Sequence, residues 1–346
     1  MYTDIPFWLS IAMMAGGFVA LAWSSDTFVD GASSVAKALG ISPFVIGMVI
    51  IGFGTSAPEL CVSVMSGLSD HSNLSLGNAY GSCVFNIAAI LGIASMIRPL
   101  AVKPMTALVA GPALAAISLG SMFVLRDGVG SRGEALMLLG MFAVLLPLYC
   151  WFDQKTSGSA PDAEPQEKGR PPTARMIADP RYRRIGRMRL AIACVKLVVG
   201  LAVLVGSSHM LVWGAVDFAR AVGVSDLMIG LTIVAVGTSL PELAAAIASA
   251  RRGKHEFVLG NIVGSNFFNM LAVVGLATSI SPAKGFSGYI LSRDLPMTLA
   301  LSLAITVFGV NWRRPRENGS FNRFEGLLWF LVFLAYTTLV IIQETH

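Results

Sequence analysis

Two six-residue stretches place oxygen-bearing side chains inside long apolar runs: Gly54-Thr55-Ser56-Ala57-Pro58-Glu59 and Gly237-Thr238-Ser239-Leu240-Pro241-Glu242. A proline within a helix lacks an N–H and clashes with the carbonyl four residues earlier. Pro58 therefore frees the carbonyl of Gly54, and Pro241 that of Gly237. In hydrocarbon a freed carbonyl is costly unless something satisfies it, and a bound cation would do so. Thr55 and Ser56 add hydroxyls, and Glu59 follows Thr55 by four positions and Ser56 by three, so all three share one helical face. Thr238, Ser239 and Glu242 repeat the pattern. A carboxylate within an apolar span is a functional residue by default. No basic residue lies at matching depth on a neighbouring run, so the expected partner is a metal cation or a proton.

A second motif follows each of these: Gly77-Asn78-Ala79-Tyr80-Gly81-Ser82-Cys83-Val84-Phe85-Asn86, and Gly260-Asn261-Ile262-Val263-Gly264-Ser265-Asn266-Phe267-Phe268-Asn269. Ser82 and Asn86 are four apart, as are Ser265 and Asn269, which puts each pair on one face. The glycines read first as sites of close helix packing. The amides of Asn86 and Asn269 read as ligands, because an amide in an apolar helix needs a partner. An all-oxygen set selects hard cations such as Ca²⁺, Mg²⁺, Na⁺ or K⁺. Two carboxylates balance one divalent cation, two monovalent cations or two protons. That equivalence is the physical basis of exchange.

The elements that must position these groups are membrane helices. The chain has 346 residues, 55% hydrophobic and 13% charged, against about 25% charged in soluble domains. Ten spans of bilayer length are expected, near 6–35, 42–67, 74–97, 104–125, 133–152, 190–220, 226–250, 256–280, 289–311 and 321–342. The first and sixth exceed a perpendicular crossing and must tilt or protrude. Residues 153–189, rich in Pro, Gly and charge, read as a disordered or surface-lying loop. No basic face on a soluble fold exists, which excludes a nucleic-acid partner. Cys61, Cys83, Cys150 and Cys194 have no metal-ligand spacing and read as small apolar residues. Residues 1–6 lack a basic n-region, so the first helix is expected to be its own insertion signal.

The halves repeat. Glu59 and Glu242 are 183 positions apart, as are Gly77 and Gly260, Gly81 and Gly264, Ser82 and Ser265, and Asn86 and Asn269. Nine of the 15 residues at 46–60 are identical to those at 229–243. Five spans per half is an odd number, so the second half crosses the membrane upside down. That is the inverted-repeat plan of secondary transporters, with the site at the repeat interface near the midplane. The expected fold is all-α and integral to the membrane: 1–152 as first repeat, 153–189 as loop, 190–346 as second repeat. Basic residues number 5 on the N-terminal side and 19 on the other, or 10 with the long loop set aside. The positive-inside rule then puts both termini outside and the loop in the cytoplasm of a plasma (inner) membrane protein.

These motifs resemble the two alpha repeats of the sodium/calcium exchanger family within the calcium/cation antiporter superfamily. The likeness is close over 42–97 and 226–280. It implies that Glu59 and Glu242 are the central Ca²⁺ ligands and that Thr55, Ser56, Thr238 and Ser239 supply hydroxyl and backbone oxygens. It also implies that Ser82, Asn86, Ser265 and Asn269 complete the cluster. Alternating access is implied too, with spans one and six sliding across the core. One departure matters: some sodium-driven members carry an aspartate where Asn269 stands, so this site holds two formal negative charges rather than three.

The resulting expectation is a secondary antiporter that extrudes Ca²⁺ against Na⁺, with no cofactor beyond the transported ions and no catalytic activity. Its partners are small cations and the bilayer, and a monomer is the expected unit. A Ca²⁺/H⁺ antiporter of the same fold is the first alternative. A passive cation channel leaves the inverted repeat unexplained, and an intramembrane hydrolase leaves the Thr/Ser oxygens unexplained. Asp26 and Asp30 near the inner end of span one, and His209 at the matching place in span six, read as interface or solvent-facing groups, with an ion entrance as the alternative. Lys196 is expected to snorkel. Trp8, Trp151, Trp312 and Tyr289 are expected to anchor the chain at the membrane interfaces.

Overall fold

The computed structural model describes residues 6–68, 72–104, 106–157, 180–223, 235–284 and 288–345. The described residues form a bundle of helices in ten successive segments. They are α1 (Phe7–Leu39), α2a (Pro43–Thr55) and α2b (Ala57–Leu68), and α3, built from Ser72–Val84, Phe85–Ile90 and Leu91–Ile97. Next come α4 (Thr106–Val124), α5 (Arg132–Ser157) and α6 (Pro180–Ala221). The second half continues with α7a (Ala235–Gly237), α7b (Leu240–Arg251) and α8, built from His255–Phe267, Phe268–Val273 and Val274–Ile280. It ends with α9 (Ile290–Gly309) and α10 (Arg323–Thr345). Among the described residues, 8 helices are long and apolar enough to cross a bilayer, or 9 when bent α2 is taken as one span. The first part of the seventh span, 224–234, lies outside the described residues.

Local sequence explains the ends. Gly40 takes a left-handed conformation (φ 65°) and closes α1. Ser42 then caps α2a, its hydroxyl accepting from the Val45 N–H, with Pro43 at the first helical position. The fifth helix of each half opens with a capping box: Ser131 with Glu134 for α5, and Asn322 with Glu325 for α10. Helix α5 runs on to Ser157, beyond its expected end at 152. Helix α6 begins at Pro180, ten residues ahead of the expected 190. The disordered reading of 153–189 is thus corrected at both ends, and 158–179 lie outside the described residues. Asp153, placed in that loop by its polarity, is buried on α5 and accepts a 2.6 Å hydrogen bond from Ser42.

The halves are related as an inverted repeat. The central helices α3 and α8 start at Ser72 and His255 and carry π-helical turns at Phe85–Ile90 and Phe268–Val273, each pair 183 positions apart. The same offset governs the long outer pair. A Cβ at Gly17 would lie 2.9 Å from Leu211 Cβ, and one at Gly200 would lie 2.8 Å from Phe28 Cα. Gly31 stands against Leu197 as Gly214 stands against Met14. Each contact becomes the other on adding or subtracting 183, and the pairing runs antiparallel. Glycine at these four positions lets the α1 and α6 backbones touch.

Two short ladders, the β structure among the described residues, tie the halves together. Strand β1 (Leu100–Val102) pairs antiparallel with β4 (Gly319–Phe321), and β2 (Val129–Gly130) with β3 (Ala283–Lys284). Paired strands must lie on one side of the membrane. An even number of crossings therefore separates β1 from β4 and β2 from β3, which fits six spans and four spans respectively. The expected ten-span inverted plan meets that parity.

Exposed Phe18, Trp23, Val144, Val198 and Leu331 cover the outer faces, as lipid contact requires. Trp8, Trp151, Trp312 and Tyr289 are exposed near helix ends, and Lys196 is exposed on α6. Cys83 is buried, whereas Cys61 and Cys194 are exposed on the helix surface. The window of α8 that qualifies as a span is wholly buried, so the bundle surrounds it with protein. Gly260 and Gly264 allow α2a to lie directly on it, and a Cβ at Gly264 would run into the Met48 carbonyl.

Candidate functional site

The site is built on two broken helices. α2a and α2b meet at a bend of 41° between Pro43–Thr55 and Ala57–Met65. Ser56 sits in the break (φ −82°, ψ 7°), and Ser239 takes nearly the same shape (φ −95°, ψ 12°) ahead of α7b. Proline is the second residue of each restarted helix, where its missing N–H is harmless. Glu59 and Glu242 fall in the first turn of these restarted helices, where unpaired backbone N–H groups favour a carboxylate. Both glutamates are buried.

The hydroxyls cross between halves. Ser56 donates to Glu242 Oε1 at 2.9 Å, and Ser239 donates to Glu59 Oε1 at 3.0 Å. Thr55 also interacts with Glu242, and Thr238 with Glu59. Helical spacing places Thr55 and Ser56 on one face with Glu59. The break corrects this: it turns Ser56 out of helical register and toward the other half. The Ser82 hydroxyl lies 3.2 Å from that of Ser239, which extends the cluster onto α3. Ser265 reaches the Gly52 carbonyl at 3.5 Å. The Thr55 hydroxyl lies 2.9 Å from the Ile51 carbonyl and 3.3 Å from Asn261 Oδ1.

The second oxygen of each glutamate is left over. Glu59 Oε2 and Glu242 Oε2 are buried and meet no hydrogen-bond partner among the described residues. The same holds for both amide atoms of Asn86 and both of Asn269. Each asparagine is the second residue of a π-helical turn, a distortion that often marks functional positions. Buried polar groups are nearly always satisfied, so six such atoms on four residues of the repeated motifs call for a ligand. Acceptors predominate, four oxygens against two amide nitrogens, and two of the residues are formally anionic. Hard cations suit that set.

The structure pairs Ser56 with Glu242 and joins Glu59, Ser239 and Ser82 in a second hydrogen-bonded group, with Thr55 and Thr238 against the carboxylates. Ser265, Asn86 and Asn269 are buried on α8 and α3, and neither asparagine amide hydrogen-bonds a carboxylate. Two further residues hold the main chain of the second motif. Asn261 Nδ2 donates to the main-chain carbonyl of Glu242 at 3.2 Å. Ser208 of α6 donates to the Gly237 carbonyl at 3.2 Å. The carbonyl freed by Pro241 is thus satisfied by a serine, where a cation was expected. The recurrence of Asn in both copies of Gly-Asn-x-x-Gly-Ser was the available signal for Asn261; Ser208 had none.

Asp26 and Asp30 are partly exposed on α1 and are ion-paired. Arg252, just beyond α7b, contacts both: its Nη2 lies 3.0 Å from Asp26 Oδ1 and its Nη1 pairs with Asp30. Lys254 lies 3.9 Å from Asp30. Arg252 and Lys254 thus tie α1 to the α7–α8 turn, while Lys103, ahead of α4, pairs with Glu256 at the start of α8.

Residues 9–151 and 192–342 match the family described as sodium/calcium exchanger protein. The chain belongs to the sodium/calcium exchanger family. The two matched segments coincide with the two five-span halves. Among members, CaxA of Alkalimonas amylolytica is 38% identical over 325 residues, covering 94% of this chain and 96% of that protein. The sodium/calcium exchanger MaX1 of Methanosarcina acetivorans is 29% identical over 344 residues, covering 92% and 95%. The solved sodium-calcium exchanger NCX_Mj, soaked with Na⁺ and Sr²⁺, superposes with a TM-score of 0.75 at 26% identity, covering 95% of this chain and 98% of that one. The chain is therefore a multi-pass membrane protein of a cation-antiport family, whose business is moving ions rather than transforming a substrate.

Proposed function

We propose that this exchanger extrudes Ca²⁺ in return for Na⁺ by alternating access. The reading rests on one observation above the others: the crossed pair Glu59–Ser239 and Glu242–Ser56, with a second, unpartnered oxygen on each carboxylate. Glu59 and Glu242 are the central ligands. Thr55, Ser56, Thr238, Ser239, Ser82 and Ser265 supply neutral oxygens, and Asn86 and Asn269 supply amide oxygens. Two carboxylates neutralise one Ca²⁺ and equally well two Na⁺, so neither ion leaves without replacement. Each carboxylate is held from the opposite half. The site is therefore completed only where the halves meet, as alternating access about a fixed centre requires.

A second reading substitutes H⁺ for Na⁺, and Asn269 favours it. The amide leaves the cluster with two carboxylates, a set that two protons also balance. The chain is taken as 1–152 and 190–346 around a cytoplasmic 153–189, with both termini outside. The basic count supports that orientation, and the even parity of the β1–β4 and β2–β3 pairings fits the ten-span plan in either orientation. A monomer holds every proposed ligand.

The test uses inverted membrane vesicles loaded with Na⁺. Uptake of ⁴⁵Ca²⁺ that follows the outward Na⁺ gradient is the expected result. Uptake driven by a pH gradient and indifferent to Na⁺ would replace Na⁺ with H⁺. Equilibration that needs no counter-ion would refute antiport altogether.

A further inference from the structure

The single offset relating α1 to α6 and α3 to α8 makes departures from it informative. The second motif is clasped by two hydrogen bonds: Ser208 Oγ to the Gly237 carbonyl, and Asn261 Nδ2 to the Glu242 carbonyl, each at 3.2 Å. Subtracting 183 gives Ser25 with Gly54, and Asn78 with Glu59. Neither of those bonds is made. Ser25 Oγ turns to Ala22 of its own helix at 2.9 Å. Asn78 Nδ2 is buried and meets no acceptor among the described residues.

Their neighbours do match. Ser24 donates to Leu21 at 3.1 Å and Ser207 to Leu204 at 3.0 Å. The other ends of the two asparagines also match: Thr55 lies 3.3 Å from Asn261 Oδ1, and Thr238 lies 3.5 Å from Asn78 Oδ1. Ser82 and Ser265 also differ, one against the Ser239 hydroxyl and the other against the Gly52 carbonyl, so these departures from the offset gather at groups that touch the broken helices.

In an inverted repeat, letting each half adopt the other's conformation yields the state that opens to the other face. We propose that Ser208 and Asn261 clasp the second motif in this state, that Ser25 and Asn78 clasp the first motif in the opposite-facing state, and that the two clasps alternate during transport. Asn261 and Asn78 are positioning residues here. They hold the main chain of a carboxylate residue in their own half and touch a threonine of the other. The serines couple that hold to α1 and α6. The proposal rests on the alternating-access reading above and extends it to named contacts.

The test needs no knowledge of the transported ion. Full-length protein in lipid nanodiscs is compared by hydrogen–deuterium exchange with Ser208→Ala, Ser25→Ala and the near-isosteric Asn261→Asp and Asn78→Asp. Loss of one buried bond should raise deuterium uptake in Leu240–Arg251 roughly two- to tenfold for Ser208→Ala and Asn261→Asp. Ser25→Ala and Asn78→Asp should leave Ala57–Leu68 unchanged, since their clasp is open. Equal increases in the two halves, or none for Ser208→Ala and Asn261→Asp, would overturn the proposal. In proteoliposomes the two pairs of variants should shift half-saturating ⁴⁵Ca²⁺ at opposite faces; equal shifts at both faces would also overturn it. Wild-type protein that moves no Ca²⁺ would count against the Ca²⁺ reading, while the exchange asymmetry judges the clasps by itself.

Discussion

Ser56 of the first half donates its hydroxyl proton to Glu242 of the second at 2.9 Å, although Glu59 is only three residues away in sequence. The reciprocal bond from Ser239 to Glu59 completes an exchange of partners about the centre of the molecule. Neither half can assemble the site alone.

That crossing is measurable. Glu59→Gln and Glu242→Gln should each reduce Ca²⁺ exchange to background while the protein still elutes as a folded species. Ser56→Ala removes a hydrogen bond to a charged group, ~1.5–3 kcal/mol, and should raise half-saturating Ca²⁺ about tenfold or more. In a double-mutant cycle Ser56→Ala should couple more strongly to Glu242→Asp than to Glu59→Asp. Coupling to Glu59 in place of Glu242 would mean the bonds run within each half.

The charge of the cluster is open to a single substitution. Asn269→Asp adds a third carboxylate to the proposed ligand set, in which Glu59, Glu242, Asn86 and Asn269 have unpartnered oxygens among the described residues. If Na⁺ is the counter-ion, the variant should bind more Na⁺ per Ca²⁺ released, read as a steeper Na⁺ dependence of ⁴⁵Ca²⁺ efflux from proteoliposomes. An unchanged slope would exclude residue 269 from the Na⁺ positions.

Close packing of α2a on α8 depends on a missing side chain. A Cβ at Gly264 would meet the backbone of Met48, which cannot rotate away. Gly264→Ala should therefore destabilise the protein by about 1–3 kcal/mol through overpacking, seen as a lower Tm in detergent. Gly140→Ala, on an exposed face of α5 where the added carbon meets no atom of the described residues within 4 Å, should be milder. Equal Tm values for the two variants would contradict the contact.

Arg252 is a structural tie by its partners. Its side chain is 30% exposed, and those of Asp26 and Asp30 are 47% and 44% exposed, so solvent screens the pairs. Arg252→Gln should cost no more than ~1 kcal/mol, and less at high salt. Ca²⁺ affinity should be unchanged. A tenfold change in affinity would restore Asp26 and Asp30 as part of an ion path.

Much of this architecture is legible in the residues themselves. Hydropathy requires spans because backbone groups in lipid must be bonded internally. The offset between Glu59 and Glu242, with five spans in each half, requires inversion by parity alone. Proline beside a carboxylate in an apolar run marks the two breaks, since Pro58 and Pro241 remove the N–H that would continue the helix. Other features were not visible. The loop reading of 153–189 failed at its ends because α5 and α6 extend past the apolar stretches into polar sequence, and local polarity tracks lipid contact rather than helicity. The identity of Arg252 as the partner of Asp26 and Asp30 depends on residues 226 and 222 positions apart being brought together.

The span plan, the repeat, the two broken helices and the oxygen chemistry can be read along the chain, because these follow from local rules of period, backbone bonding and charge. Which oxygen meets which carboxylate is set by how the helices pack. Helical spacing grouped Ser56 with Glu59, but the break rotates Ser56 away and the inverted partner brings Glu242 within reach. The choice of Ser208 over a cation for the Gly237 carbonyl, and the unequal grips of Asn261 and Asn78, likewise arise from how α6, α3 and α8 are laid across the motifs. No periodicity along one chain encodes that arrangement, since it is a property of helices in contact.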